Sequence, residues 1–214
     1  MEEIRYEGNK ITKITSSAIM LSVIFILSFF TRFIKFSSFL SFNFSFIFVY
    51  LTYRYISKRA SFLIAFLNMI ISPAISTEGY EMGSILGNFI LFLSIILFLF
   101  SMHLSQFLIP NKGALFTLFR LSFSIVLTSI IITILNIFIF TSLFLYIYGI
   151  LNSFSYLKIV ERWNELKPLF FNFDSYFIGA GITYFSFNVI NLSINCFFII
   201  LLQTPIMKIF SFKF

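Results

Sequence analysis

About six stretches of this chain are apolar over a length sufficient to cross a bilayer, near residues 14–30, 39–55, 60–76, 83–109, 114–148 and 178–206. Each is close to or above the roughly 20 residues that a hydrocarbon core requires. Backbone groups in lipid must be satisfied within their own segment, so the stretches predict helices. The expectation is an all-α integral membrane protein, one transmembrane domain over residues 1–214. The second and third stretches are the shortest and are interrupted by polar residues. With 59% hydrophobic and 11% charged residues in 214, a soluble domain with a polar surface is excluded.

None of the eight acidic residues falls inside a span. Proton- and ion-driven carriers usually keep a carboxylate near the membrane midplane, because a buried charge persists only where it has a task. The net charge of +7 comes from basic residues scattered at span ends, which read as topological anchors rather than a nucleic-acid surface. Arg5, Lys10, Lys13, Arg54, Lys58, Arg59, Lys112, Arg120, Lys208 and Lys213 fall on one side. Arg32, Lys35, Lys158, Arg162 and Lys167 fall on the other. The positive-inside rule then predicts cytoplasmic N- and C-termini, an even number of helices, and a multi-pass protein of the plasma membrane.

The first span follows a mixed-charge head and is longer than a signal-peptide core, so it is expected to stay as a helix. Segment 157–174 is polar and reads as an outer loop or interfacial helix, with Trp163 at headgroup depth and Lys158, Glu161, Arg162 and Glu165 in water.

Most catalytic chemistry lacks its residues. No GxxxxGK[ST] phosphate loop occurs, so the chain does not energise itself as a P-loop ATPase. His103 is the single histidine and Cys196 the single cysteine, which leaves no metal-ligand set, no catalytic triad and no disulfide. An enzyme is not expected, and no cofactor or metal is implied.

What remains inside the spans is neutral: Asn68, Asn88, Asn136, Asn188, Asn191 and Asn195. Spacings of three and four put Asn188, Asn191 and Asn195 on one helix face. A carboxamide in lipid needs partners, either another helix or a bound polar molecule, and both readings stand at this point. Two small-xxx-small pairs, Ala18 with Ser22 and Gly83 with Gly87, permit close helix approach.

Several short motifs carry a family likeness. Leu40-Ser-Phe-Asn43-Phe-Ser-Phe-Ile-Phe48 looks like a second-helix start that typically reads Leu-Lys-Ile-Asp-Phe-Ser-Asp-Ile-Pro. Gly87-Asn88-Phe89, Leu135-Asn136 and Phe187-Asn188 are similar to its fourth, fifth and sixth helix motifs. On these, the chain from about 11 to 210 resembles the substrate-binding S components of energy-coupling-factor (ECF) vitamin transporters, most closely the riboflavin type. The departures are Asn43 for the family's acid, Phe48 and Ser186 for two prolines, and Asn191 for a lysine associated with the flavin.

The resemblance implies a capture subunit that binds a vitamin from outside, while a scaffold membrane subunit and two ATPase subunits supply the work. It implies substrate contacts at Asn43, Asn88, Asn136, Tyr184, Phe187, Asn188 and Asn191, with Tyr146 and Tyr148 helping to close the pocket. Ala18 and Ser22 would face the scaffold. The alternatives are an S component for another vitamin or precursor, a stand-alone secondary carrier, and a ligand-free membrane scaffold, for which a packed bundle without an outer cavity would speak.

Overall fold

The computed structural model describes residues 9–31, 33–37, 39–76, 79–110 and 113–211, so the anchors Arg5, Arg32, Lys112 and Lys213 lie outside the described residues. The described chain is helical apart from one small hairpin and the connecting loops. Helix α1 is Lys10–Thr31, and α2 is Ser45–Leu51, continued by a π-helical turn over Thr52–Ile56. Helix α3 is Lys58–Ile75 and α4 is Met82–Leu108. Helix α5, Ala114–Leu135, runs through a second π turn, Asn136–Phe140, into α6, Thr141–Ile147. Two short helices, α7 (Tyr156–Glu161) and α8 (Trp163–Leu166), and a 3-10 turn, Lys167–Phe170, precede α9, Tyr176–Ser211.

Among the described residues five helices are long and apolar enough to cross a membrane: Lys10–Thr31, Lys58–Ile75, Met82–Leu108, Leu115–Ile147 and Tyr176–Gln203. The second predicted span, 39–55, is not a helix of that length. Residues 34–37 and 39–42 instead pair as a hairpin, with an antiparallel bridge between Lys35 and Ser41, Phe42 N–H donating to Ile34 O at 3.1 Å and Phe36 N–H donating to Leu40 O at 2.7 Å. Helix starts only at Ser45, because the Asn43 side chain accepts from Ser45 N–H at 2.8 Å and holds the preceding chain in a turn.

The helical part, 45–56, then rises only about 18 Å at 1.5 Å per residue. Phe46, Ile47, Val49, Leu51, Tyr55 and Ile56 are all buried, on every side of the helix. A short element buried all round has the composition of a lipid-facing span without the length of one. Its apolarity serves the protein core, where it packs with Ile24 of α1, Ile64 of α3, Phe98 of α4 and Leu192 of α9.

Helix α1 lies at the edge. It buries Met20, Ile24 and Thr31 and exposes Ile11, Ile14, Ile19, Ile26 and Phe30. Ala18 and Ser22 are on the exposed side, the Ser22 hydroxyl donating to its own helix at Ala18 O, 2.9 Å. The other small pair divides: Gly83 is buried against the Tyr148 ring, whereas Gly87 faces open space.

A cap closes one end of the bundle. Trp163 is buried among Phe170 and Tyr176, with ring centroids 5.4 Å away in each case, and its indole N–H donates to Phe173 O at 2.9 Å. Trp163 thus belongs to the cap's own core. The charged residues are exposed, pairing as Lys158 with Glu161 at 2.7 Å and Arg162 with Glu165 at 2.5 Å. Gly179 in the first turns of α9 lets the cap lie close, since a Cβ there would stand 3.0 Å from Trp163 Cζ2 and 3.1 Å from Phe173 Cβ. Hairpin 34–42 joins this end through Phe36 on Phe171 (6.1 Å) and Phe39 on Phe170 (5.5 Å).

Candidate functional site

The buried amides fall into two groups. The first is tied together where α2, α3 and α9 meet. Asn43 backbone N–H donates to Asn191 Oδ1 at 3.2 Å, and Asn195 Nδ2 donates to both Asn43 O and Asn191 O at 2.8 Å. The Ser45 hydroxyl donates to Asn43 Oδ1 and accepts from Asn68 Nδ2 at 3.4 Å, while Ser72 Oγ donates to Asn68 Oδ1 at 2.8 Å. Asn43 and Asn191, both expected at the ligand, are thus occupied with each other. The network has a local cause: the backbone ahead of α2 is not helical, and its polar groups need partners at a depth where water is scarce.

The second group lies on α5 and α9 nearer the cap. Asn188 Nδ2 is sealed from solvent without a hydrogen-bond partner. Asn136 is buried, and its side-chain amide makes no hydrogen bond among the described residues; only its backbone carbonyl is engaged, by the Thr141 hydroxyl at 2.7 Å. Asn136 opens the π turn, a geometry that interrupts the regular i to i−4 ladder and recurs at functional sites. The turn is braced from α9, where the Tyr176 hydroxyl donates to Ile137 O at 2.5 Å and Tyr184 shares a 2.7 Å hydrogen bond with Thr141.

Aromatic rings cover this group from the hairpin. Phe187 stands 5.5 Å from Phe36 and 5.8 Å from Phe42, and Tyr184 is 6.1 Å from Phe39 and 5.9 Å from Phe170. Asn88 is not part of the arrangement in the same way, because its amide donates to its own helix at Ser84 O, 2.9 Å. Tyr146 and Tyr148 lie exposed at the cap end.

The two best-defined concavities lie away from these side chains. One, of about 320 Å³, lies at the cap beside Glu161, Asn164, Asp174 and Tyr176; the other, of about 510 Å³, is an apolar groove along Phe116, Phe119 and Phe123 of α5. Among the described residues no three His, Cys, Asp or Glu side chains come together as a metal site. Cys196 is buried and free, and His103 packs edge-on to Phe107 at 5.2 Å.

Sequence reasoning missed the partners of the amides. Ser45 and Ser72 were visible only as ordinary polar residues, and Phe36 and Phe39 were hidden among 35 phenylalanines. A usable signal existed on α5, where Ser129, Thr133 and Asn136 recur at spacings of four and three within a run of Ile and Leu. Compared with known proteins, the chain matches no family model, no characterised protein and no solved structure.

Proposed function

We propose that this chain is the substrate-capture subunit of an ECF-type importer, binding riboflavin or a similarly flat, mostly neutral vitamin at Asn136 and Asn188. The observation that carries the reading is the contrast between amides. Asn136 is buried and Asn188 half-buried with its Nδ2 sealed from solvent, and neither side chain hydrogen-bonds among the described residues. Leaving such a group unmatched costs about 1–3 kcal/mol, a standing incentive for a ligand that matches it. Phe187 and Tyr184 supply ring faces beside them, and the neutral surroundings suit an uncharged heterocycle.

In this reading a ligand enters from the cap end, past the hairpin rings that pack on Phe187 and Tyr184, with that end the outer face and both chain termini cytoplasmic in the plasma membrane. Helix α2 with the extended residues ahead of it returns the chain to the cytoplasmic side, next to Arg54, Lys58 and Arg59. The exposed Ala18 and Ser22 face offers a docking strip to a scaffold subunit, which together with two ATPase subunits would provide the work. Asn191, tied to Asn43, acts as a structural residue, and its place in the family's lysine position leaves another vitamin as the alternative substrate.

The test is direct. The chain purified in mild detergent is titrated with riboflavin while flavin fluorescence is followed, alongside the Asn188→Ala variant. Saturable quenching that weakens by about 1–3 kcal/mol in the variant supports the assignment. Saturable quenching that is indifferent to the substitution removes Asn188 from the site.

A second reading is favoured by one observation, the absence of a vitamin-sized cavity at the amides among the best-formed concavities. It is a ligand-free membrane scaffold. Retention of no small molecule from a vitamin mixture, with stable binding of other membrane subunits, would select it.

A further inference from the structure

The groove along α5 has no part in the capture reading. It holds about 510 Å³ at the end of the bundle away from the cap and is lined by Ile109, Phe116, Phe119, Ser122, Phe123 and Val126. Phe116, Phe119, Phe123 and Val126 follow one another at spacings of three and four, which aligns them as a stripe along one side of the helix. Leu121 and Ile125 of the same helix pack into the bundle core. At about 100° per residue these two point to the opposite side of α5 from the stripe. The stripe therefore faces outward, and Phe119 and Val126 are 54% and 48% exposed.

Its length has a physical match. Between Phe116 and Val126 the helix rises about 15 Å, half of a hydrocarbon core of roughly 30 Å and thus the depth of one leaflet. Helix α5 begins at Ala114, directly after the turn from α4, so the groove starts at a membrane boundary and ends near the midplane. A fixed positive charge stands at its boundary end. Arg120 Nε and Nη2 both donate to Ile109 O, at 2.9 and 2.5 Å, so the side chain reaches back to a residue of the groove. That carbonyl belongs to the residue that closes α4 and is neutral, so it holds the guanidinium in place without cancelling its charge. Helix α5 adds to the field, since it starts with no side-chain cap and no acid in its first turn.

We propose that this groove binds an anionic phospholipid, with one acyl chain lying along residues 116–126 and the headgroup phosphate held at Arg120. An apolar channel one leaflet deep that ends at a cation has the outline of a lipid chain below its phosphate. Arginine suits that phosphate because its planar fork presents parallel N–H groups to two oxygens. A second copy of the chain fits the face less well. A two-fold contact through it would set Arg120 against its own copy at the same depth, with like charges opposed. The lipid site does not rest on the capture reading.

The experiment titrates the full chain, purified in mild detergent, with dioleoylphosphatidylglycerol and with dioleoylphosphatidylcholine, and counts retained lipid by native mass spectrometry. The expected result is one phosphatidylglycerol per chain, bound about tenfold more tightly than phosphatidylcholine, the weight of one charge-assisted hydrogen bond. Arg120→Gln should remove that preference. Val126→Trp, which fills the groove from an exposed position, should weaken phosphatidylglycerol binding by about tenfold. Arg59→Gln, a basic residue of α3 at the same end of the bundle, should change neither. Because Arg120→Gln also releases Ile109 O, Val126→Trp carries the test if the first variant does not fold. Equal retention of the two lipids, or a preference that survives both variants, overturns the site. A loss in Arg59→Gln as large as in Arg120→Gln overturns it in favour of diffuse attraction to a basic surface. Displacement of the lipid by an equal concentration of glycerol phosphate overturns it in favour of a free-anion site that makes no use of the groove. Pairing of two chains that Val126→Trp abolishes overturns it in favour of an interface between copies.

Discussion

The two amide groups of this bundle share helix α9 yet behave differently. On α9, Asn191 Oδ1 and Asn195 Nδ2 pair with the backbone ahead of α2, although Asn195 Oδ1 stays unpartnered, while Asn188 Nδ2, one turn closer to the cap, has no partner at all. The difference lies in what faces each residue. Non-helical backbone near Asn43 has polar groups to satisfy, whereas the α5 helix opposite Asn188 already satisfies its own. A carboxamide in this bundle is therefore tied into the fold where it meets a break in helical structure, and left unpaired where it meets an intact helix.

The comparison breaks most visibly at the tied group. Asn195→Ala strips hydrogen bonds from Asn43 O and Asn191 O at once and is expected to destabilise the bundle by about 2–3 kcal/mol, read by thermal unfolding in detergent. Asn188→Leu, by contrast, should leave ligand-free stability equal or higher. A loss like that of Asn195→Ala would place both residues in one class. Next in size is Gly179→Ala, where the new methyl meets Trp163 and Phe173. A cost of about 1–2 kcal/mol is expected, with a shift in Trp163 fluorescence as the cap lifts. Tyr176→Phe removes the bond to Ile137 O that braces the π turn, for about 1 kcal/mol. The smallest effect belongs to the exposed Lys158–Glu161 pair, where Glu161→Gln should change stability by under about 0.5 kcal/mol. If this last substitution rivals the others, the cap is held by its charges and not by its aromatic core.

Five long helices were legible in the sequence because their apolar runs exceed anything a soluble element needs. The second span was misread for a physical reason: a 12-residue segment buried on every side, 45–56, carries the same residues as a lipid-facing helix, and length counted from Phe39 included the hairpin. The amides were legible as a set, but their division was not, since it depends on Asn43 halting the helix and so creating the acceptors that Asn195 satisfies. Trp163 illustrates the same limit. Its charged neighbours Lys158, Glu161 and Arg162 marked a solvated face correctly, while the burial of its indole is decided by Gly179, sixteen residues away. The spacing of Ser129, Thr133 and Asn136 was legible, but that the two hydroxyls lack partners was not, because a hydroxyl in an apolar helix ordinarily bonds its own backbone.

The π turn at Asn136–Phe140 carries one residue more than an α-helical path would need. In the terms of sequence change it is an insertion absorbed without a loop. Deleting a single residue between Leu135 and Thr141 would return this stretch to a regular α-helix, with the turns on either side keeping their facing and Thr141 its place beside Tyr184. What would be lost is the widened turn itself, whose Ile137 carbonyl the Tyr176 hydroxyl reaches. The extra residue thus opens the backbone locally without re-aiming the helix, so that a polar feature stands inside an otherwise apolar span while the rest of the bundle keeps its packing.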